Sequence, residues 1–333
     1  MPDETRRDIL KKAATLSAGV IASSRNLLPR TELVLDQADQ SLAAAEFFPG
    51  FKQVTKKTSG ATIHFVTAGN GPPLLLLHGY PDTHVMWRKV APQLAQKFTV
   101  VAADLRGYGD SSKPPDGENH AGYSKRAMAQ DQVEVMSSLG FEKFAVVGHD
   151  RGGRVAHRMA LDHRDRVTKL AILDIVPTYK VFHSVSNELA TANFHWWFLI
   201  QKAPLPETLI GNNAEFWLKT RFERLPPEAL SKEAFAEYLR CFRDPAMIHA
   251  TCEDYRAGAT IDLIHDAADL DHKISCPILV LWGERGVWPR MYDVLDTWRE
   301  RASHVSGKQI PSGHFIPEEK PETVLEELKN FLA

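Results

Sequence analysis

Cysteine is scarce in this chain, and its three cysteines, Cys241, Cys252 and Cys276, lie far apart. Their odd number and wide spacing exclude a disulfide framework and a CxxC redox or zinc motif. The sequence also lacks an HExxH metal motif and a GxxxxGK[ST] phosphate-binding loop. We therefore expect neither a cofactor nor a metal ion.

The chain also lacks a strong charge of either sign. Its formal net charge is −2 over 333 residues, which gives no electrostatic reason to expect nucleic acid or an anionic membrane as a partner. Its composition, 44% hydrophobic and 25% charged, is that of an ordinary globular protein. The length fits two domains or one large domain with an insertion.

No apolar run near the N-terminus is long enough to span a bilayer. Two arginines precede a mildly apolar stretch in TRRDILKKAATLSAGVIASS, and the small residues 43–45 precede Glu46. This arrangement resembles a twin-arginine export signal. We expect residues 1–45 to direct export to the periplasm, leaving a mature protein outside the membrane. The alternative is an N-terminal arm on a cytoplasmic protein.

From Phe47 onward, apolar runs alternate with segments of helical period. The alternating segment ATIHFVTAG predicts part of an opening hairpin. Five continuous apolar runs predict buried strands at 72–79, 98–109, 143–150, 167–175 and 276–283. Strands that alternate with helices predict an α/β fold, with a mainly parallel sheet covered by helices on both faces.

This alternation stops between Pro177 and about Ile274, where helical fragments, prolines and tryptophans replace the buried strands. We predict a core formed by residues 46–177 and 275–333. The intervening residues 178–274 are predicted to form an inserted helical cap over the carboxyl ends of the strands, where ligands bind in open α/β sheets.

The segment GHDRGGR, residues 148–154, joins a predicted strand to a predicted helix. A strand, a sharp turn and a helix in this order are typical of the nucleophile elbow of the α/β-hydrolase fold. The usual nucleophile of the elbow is serine, and here the position holds Asp150. We therefore predict the α/β-hydrolase fold with Asp150 as its nucleophile.

Two further residues complete a catalytic triad. His314 follows the last predicted strand in PSGHFIP, and Asp174 ends the strand that contains LAILD. The order nucleophile, acid, histidine is typical of α/β-hydrolases. Many members carry the acid in a WGxxD pattern, but here Gly286 occupies that position. Asp174 is therefore predicted to orient His314, with a turn or helix cap as its alternative role.

The turn HGYP, residues 78–81, follows a buried strand and is predicted to supply a backbone N–H to an oxyanion hole, with Tyr80 at the substrate site.

An aspartate nucleophile fits displacement at an sp3 carbon. A serine would leave an ether that water does not cleave, whereas a carboxylate leaves an ester. Water activated by His314 can then hydrolyse this ester. The elbow thus predicts cleavage of a carbon–halogen or epoxide bond.

Arg151 follows the nucleophile, and Arg154 lies three residues further along the predicted helix. Guanidinium groups bind carboxylates through forked hydrogen bonds. The two arginines therefore predict a substrate with a carboxylate next to the reacting carbon. The alternative is that they form ion pairs with Asp150 or with an acid of the cap.

From Phe47 to Ala333 the chain resembles the fluoroacetate (haloacetate) dehalogenases of the α/β-hydrolase fold. The resemblance rests on HDRGGR, LDIVPTY, HWWFL and CEDYRAGA. It implies that Asp150, His314 and Asp174 form the triad. It also implies that Arg151 and Arg154 bind the substrate carboxylate.

The resemblance further implies a halide pocket made by His195, Trp196 and Tyr255, whose N–H and O–H groups can donate to a departing halide. The expected activity is hydrolysis of a haloacetate to glycolate and halide, with water as second substrate. Members of the family often form dimers, so the resemblance also implies that this chain can form a homodimer. The rival functions are an epoxide hydrolase with the same nucleophile and a non-catalytic ligand receptor. Arg151 argues against the epoxide, which offers no charge for it to bind.

Overall fold

The computed structural model describes residues 47–333. The predicted export segment at 1–45 lies outside the described residues. Among the helices that are described, none is long and apolar enough to cross a membrane.

An eight-stranded sheet forms the centre of the described chain, in the order β1-β2-β4-β3-β5-β6-β7-β8. Strands β1 and β2 form an antiparallel hairpin, β2 also runs antiparallel to β4, and every other neighbouring pair is parallel. The strands are β1 Lys52–Lys57, β2 Thr62–Ala68, β3 Pro73–Leu77, β4 Thr99–Ala103, β5 Phe144–His149, β6 Val167–Leu173, β7 Ile278–Gly283 and β8 Val305–Ile310.

Helices of the core connect these strands. They are α1 Ala91–Leu94, α2 Lys125–Ser138, α3 Asp150–Asp162, α12 Trp288–Met291, α13 Val294–Arg299, α14 Ile316–Glu319 and α15 Pro321–Leu332, together with 3₁₀ helices at His84–Lys89 and Glu118–Tyr123. Helix α2 begins at an N-cap, Ser124, whose hydroxyl accepts a hydrogen bond from the N–H of Ala127.

Eight helices lie between β6 and β7, in the range predicted for the cap. They are α4 Thr178–Phe182, α5 Asn187–Ala192, α6 Phe194–Leu199, α7 Leu205–Gly211, α8 Ala214–Phe222, α9 Lys232–Phe242, α10 Pro245–Ala259 and α11 Ile261–Ala268. Because β6 ends where these helices begin, the insertion starts from the edge of the sheet that carries Asp150 and Asp174.

The predicted fold class is confirmed. The five predicted buried strands correspond to β3 to β7, whose side chains are nearly all inaccessible to solvent, as in Leu74–Leu77. Apolar side chains on both faces of a strand are what a sheet covered by two helical layers requires. The rigid sheet holds the ends of β5, β6 and β7 beside one another, which brings distant parts of the sequence together.

Candidate active site

The turn between β5 and α3 places Asp150 at the carboxyl edge of the sheet. Asp150 has a φ of +45°, in the left-handed region that a residue with a side chain adopts only when its surroundings enforce it. The turn can be this tight because Gly148 has no Cβ. A Cβ at this position would clash with the carbonyl oxygen of Gly152 at 2.4 Å. These features are those of a nucleophile elbow.

The carboxylate of Asp150 is buried and ionised. Its Oδ1 atom accepts a hydrogen bond of 3.0 Å from the backbone N–H of Tyr80. Burial would raise its pKa, but the charges of His314, His149 and Arg151, with that of Arg154, outweigh burial and lower the pKa to about 2. Asp150 is therefore available as an anion, and the HGYP turn points an N–H at one of its oxygens.

His314 lies between the two aspartates, in the loop after β8. Its Nε2 atom is 3.9 Å from Oδ2 of Asp150, and its Nδ1 atom is 2.5 Å from Oδ2 of Asp174. Burial disfavours protonation of the ring, but the hydrogen bond and charge of Asp174 and the charge of Asp150 raise its pKa to about 9. The imidazole is thus oriented with Nε2 toward Asp150.

Asp174 directly follows β6 and also has a positive φ, +53°. Its Oδ1 atom accepts a hydrogen bond of 2.8 Å from the N–H of Gly283, at the end of β7. A Cβ on Gly286 would lie 3.4 Å from the same carboxylate oxygen. The carboxylate of Asp174 therefore reaches the place next to position 286, where the WGxxD pattern would put its acid.

Arg151 is buried and forms an ion pair with an acid of the cap. Its Nε and Nη2 atoms each lie 2.8 Å from an oxygen of the Asp254 carboxylate on α10. Its guanidinium carbon is 4.2 Å from the ring centroid of Tyr255. The ion pair with a cap acid, predicted as the alternative role of the arginine, is thus present. It fixes the guanidinium beneath Tyr255.

Arg154 has donors that no described residue satisfies. Its Nη1 atom donates to the hydroxyl of Thr178 at 2.7 Å and to the carbonyl of Val176 at 3.2 Å. Its Nε and Nη2 atoms are buried without a partner among the described residues. Burial, with the nearby charge of Arg151, lowers the pKa of Arg154 to about 10. Free donors on a buried cation indicate an anion-binding position.

A cavity of about 510 Å³ lies above Asp150. Seven of the residues predicted from the sequence line it: Asp150, Asp174, His314, Tyr80, His195, Trp196 and Tyr255. Arg151 and Arg154 do not line it directly. They lie behind its wall, Arg151 against the ring of Tyr255 and Arg154 with its guanidinium carbon 4.6 Å from the ring centroid of Trp196.

The predicted halide-binding residues form one aromatic group in this wall. Tyr255 has ring-centroid distances of 6.1 Å to Trp196 and 5.9 Å to His195. Burial lowers the pKa of His195 well below its ordinary value, and the charge of Arg221 lowers it further. Its ring is therefore neutral, and its buried Nδ1 atom has no partner among the described residues.

Three residues of the site are absent from the sequence-based prediction. Asp254 holds Arg151, and its position directly before Tyr255 in CEDYRAGA is a signal that could have identified it. Trp217 donates a hydrogen bond of 2.6 Å from Nε1 to the hydroxyl of Tyr80. Arg221 lines the cavity. Trp217 and Arg221 lie on a cap helix that carries no recognisable motif.

Known proteins resemble this chain over most of its length. A family model described as the α/β-hydrolase fold matches residues 72–321. Fluoroacetate dehalogenase from a Burkholderia species is 46% identical over 294 residues, which cover 86% of this chain and 95% of that protein. A soluble epoxide hydrolase from a Corynebacterium species is 38% identical over 281 residues, with coverages of 83% and 95%.

A crystal structure of a candidate α/β hydrolase from a Nostoc species is 62% identical and has a TM-score of 0.84, covering 85% of this chain and 98% of that one. The family model spans the core and the cap, and its range of 72–321 includes every residue of the site described above. The chain therefore belongs to the α/β-hydrolase family, and within it to the fluoroacetate dehalogenase group of hydrolases.

Proposed function

We propose that this enzyme hydrolyses haloacetates to glycolate and halide through an ester of Asp150. The observation that carries the proposal is the arrangement of His314, whose two ring nitrogens face Asp150 and Asp174 at the floor of one cavity. A carboxylate nucleophile, a base within reach of its ester and an acid that orients the base are the parts that such a hydrolysis requires.

In the first step an oxygen of Asp150 attacks the carbon that bears the halogen, a C–O bond forms and the halide leaves with the electron pair of the broken bond. Asp150 is ionised, because the surrounding charges lower its pKa to about 2. The attacking oxygen is expected to be Oδ2, since Oδ1 accepts the N–H of Tyr80.

In the second step His314 removes a proton from water, and the hydroxide formed attacks the carbonyl carbon of the ester. Asp174 accepts a hydrogen bond from the Nδ1–H of His314, and its negative charge stabilises the imidazolium that results. The N–H of Tyr80 already contacts a carboxylate oxygen of Asp150, and it stabilises the negative charge on this oxygen in the tetrahedral intermediate. When the intermediate collapses, the leaving oxygen takes the proton from the imidazolium, glycolate is released and the regenerated carboxyl group of Asp150 loses its proton.

The substrate's carboxylate is assigned to Arg151 and Arg154. Arg154 contributes the unsatisfied donors Nε and Nη2, and Arg151 contributes a charge that Asp254 holds in place. The departing halide is assigned to His195, Trp196 and Tyr255. These three side chains carry N–H or O–H donors and line the cavity beside the nucleophile.

The second candidate is epoxide hydrolysis, which is favoured by the 38% identity to a soluble epoxide hydrolase and by the shared use of an aspartate. Buried Arg154, whose Nε and Nη2 atoms have no partner among the described residues, argues for the anionic substrate. Desolvating a cation beside a neutral epoxide has a cost and yields no interaction with the substrate.

The deciding experiment offers fluoroacetate, chloroacetate, bromoacetate and a styrene-type epoxide to the same preparation, and measures halide, glycolate and diol. Haloacetate hydrolysis requires halide and glycolate in equal amounts from the wild type and none from Asp150→Asn. Diol as the only product would assign the chain to epoxide hydrolysis. The absence of all products would overturn both candidates.

A further inference from the structure

Arg221 is a cation of the cavity wall with no acidic partner among the described residues. It lies in the last turn of α8 and is partly buried. Its guanidinium carbon is 4.8 Å from the ring centroid of Phe194 and 4.9 Å from that of Trp217. Its hydrogen bonds within the described part of the chain are long contacts of 3.3 Å to the hydroxyl of Thr220.

Arg154 is likewise buried without an acidic partner among the described residues, but the three other arginines near the cavity are paired with an acid or exposed. Arg151 is paired with Asp254 at 2.8 Å, and Arg285 with Glu319 at 2.7 Å. Arg224 is exposed, so water screens its charge. Arg221 differs from these residues because its charge is shielded by two aromatic rings and still faces the cavity. Burial lowers its pKa, and the charge of Glu223, which also lines the cavity, acts against this shift without forming an ion pair with Arg221.

The position of Arg221 is distinct from that of the arginines assigned to the first carboxylate. Arg151 and Arg154 lie behind Tyr255 and Trp196. Arg221 instead lies on Trp217, which donates to the hydroxyl of Tyr80, while the backbone N–H of Tyr80 contacts Asp150. A molecule in the cavity can therefore lie near Asp150 and near two separate sets of cations, Arg151 with Arg154 and Arg221.

The size of the cavity fits a ligand longer than a haloacetate. Its volume is about 510 Å³, within the range of roughly 300–1,000 Å³ that accommodates drug-sized ligands. A two-carbon acid held at Arg151 and Arg154 fills only a small part of this space and leaves the surroundings of Arg221 unoccupied by substrate.

We propose that Arg221 binds a second carboxylate, so that the substrates of this site include 2-halodicarboxylates such as 2-chlorosuccinate. This inference rests on the proposed dehalogenation. The carboxylate beside the halogenated carbon binds at Arg151 and Arg154, and the distal carboxylate binds at Arg221. Asp150 forms a C–O bond to C2 as the C–Cl bond breaks and chloride leaves, and water then cleaves the ester to release malate and a proton.

The test compares 2-chlorosuccinate with 2-chlorobutanoate, which has the same carbon chain but a methyl group in place of the distal carboxylate. In the wild type, kcat/KM for 2-chlorosuccinate is expected to exceed that for 2-chlorobutanoate by about tenfold or more, as one charge-assisted contact provides. Arg221→Gln should abolish this preference, so that the ratio of the two kcat/KM values falls to about one. Arg221→Lys should keep part of the preference.

Lys219→Gln is the matched control, because it removes one positive charge from the same helix at an exposed ion pair with Glu215. It should preserve the wild-type ratio. Equal kcat/KM values for the two substrates in the wild type, or a ratio that Arg221→Gln does not change, would overturn the inference. Turnover of chloroacetate is measured in every variant, and its persistence would show that the proposed dehalogenation stands independently of Arg221.

Discussion

The Nδ1 atom of His314 lies 2.5 Å from the Oδ2 atom of Asp174, so the acid fixes the orientation of the imidazole ring and raises its pKa. The ring then presents Nε2 to Asp150 at 3.9 Å. This distance is long for a direct hydrogen bond, and it fits a base that acts on a water molecule better than one that takes a proton from the nucleophile. The nucleophile needs no such base, since it is already ionised.

The covalent intermediate is the first prediction. His314→Ala should form the Asp150 ester and fail to hydrolyse it, because the base that activates water is missing; general bases typically contribute about 10²–10⁴-fold. Mass spectrometry of the peptide that contains Asp150 should show the added carboxymethyl group after incubation with chloroacetate. A single wild-type turnover in ¹⁸O water should place the label in Asp150. Label found only in glycolate would instead mean that water attacks the substrate directly.

The second prediction concerns the geometry of Arg151. Arg151→Lys keeps the charge but loses the fork that binds both oxygens of Asp254. We expect kcat/KM for chloroacetate to fall, with a rise of about 2–4 kcal/mol in the free energy of activation. This is the cost of disrupting a buried charge pair. Arg158→Lys is the control, since Arg158 lies on the same helix and pairs with Asp162 and Asp269 outside the cavity.

A neutral substrate analogue tests the same arginines from the ligand side. Chloroacetamide resembles chloroacetate in size but carries no charge for Arg151 and Arg154, so the wild type should turn it over poorly. Comparable rates on chloroacetate and chloroacetamide would contradict the role of both arginines.

The sheet and the positions of Asp150, Asp174 and His314 along it could be predicted from the sequence because each rests on a local signal. Buried strands appear as continuous apolar runs, and Asp150, Asp174 and His314 each lie at or just beyond the end of a strand or in a recognisable turn. The edge strands β1 and β8 gave weaker signals. Their side chains are largely exposed, so polar residues such as those in Lys52–Lys57 interrupt the apolar pattern.

The contacts that complete the site could not be predicted, because they join residues far apart in the sequence. The pairing of Arg151 with Asp254 depends on how α10 packs over the elbow. The hydrogen bond from Trp217 to Tyr80 depends on the position of α8. A tryptophan or arginine on a cap helix has the same appearance in the sequence whether it faces solvent, core or cavity, and only the tertiary packing decides.

The third prediction is a dependence of turnover on the protonation of His314. Ester hydrolysis requires the neutral ring, and in the resting site the pKa of His314 is raised to about 9 by Asp174 and Asp150 against the effect of burial. Ester formation removes the charge of Asp150, so the midpoint for ester breakdown should lie below 9. As the pH rises toward this midpoint, kcat should increase, and at lower pH the ester should accumulate.

Rapid mixing with bromoacetate provides the measurement. Below the midpoint, a burst of bromide equal to the enzyme concentration should precede slow turnover. Asp174→Asn removes the main interaction that raises the pKa of His314, so the acidic limb of its residual activity should shift to lower pH. Turnover that declines between neutral pH and 9 in the folded enzyme would contradict His314 as the base.

The fourth prediction separates halide binding from cap packing. Donors aimed at the halide should matter more as the leaving group becomes poorer, because only interactions that strengthen in the transition state raise the rate. Trp196→Phe removes the indole N–H, and Tyr255→Phe removes only the hydroxyl. Loss of one such donor typically costs roughly 3 kcal/mol, so each variant should depress the rate on fluoroacetate far more than on bromoacetate.

Trp197→Phe is the matched control, since Trp197 is the neighbouring indole and packs against Phe182 and Trp196 rather than lining the cavity. Its effect should be the same for every halide.

His195→Ala should follow the pattern of Trp196→Phe, and His195→Asn, which retains an N–H donor, should be milder. Trp196 also packs on Arg154, and Tyr255 packs on Arg151. Disturbed carboxylate binding should therefore add a loss of rate that is the same for every haloacetate. The ratio of fluoroacetate to bromoacetate rates removes this loss, and an unchanged ratio in all the variants would assign these residues to cap packing instead.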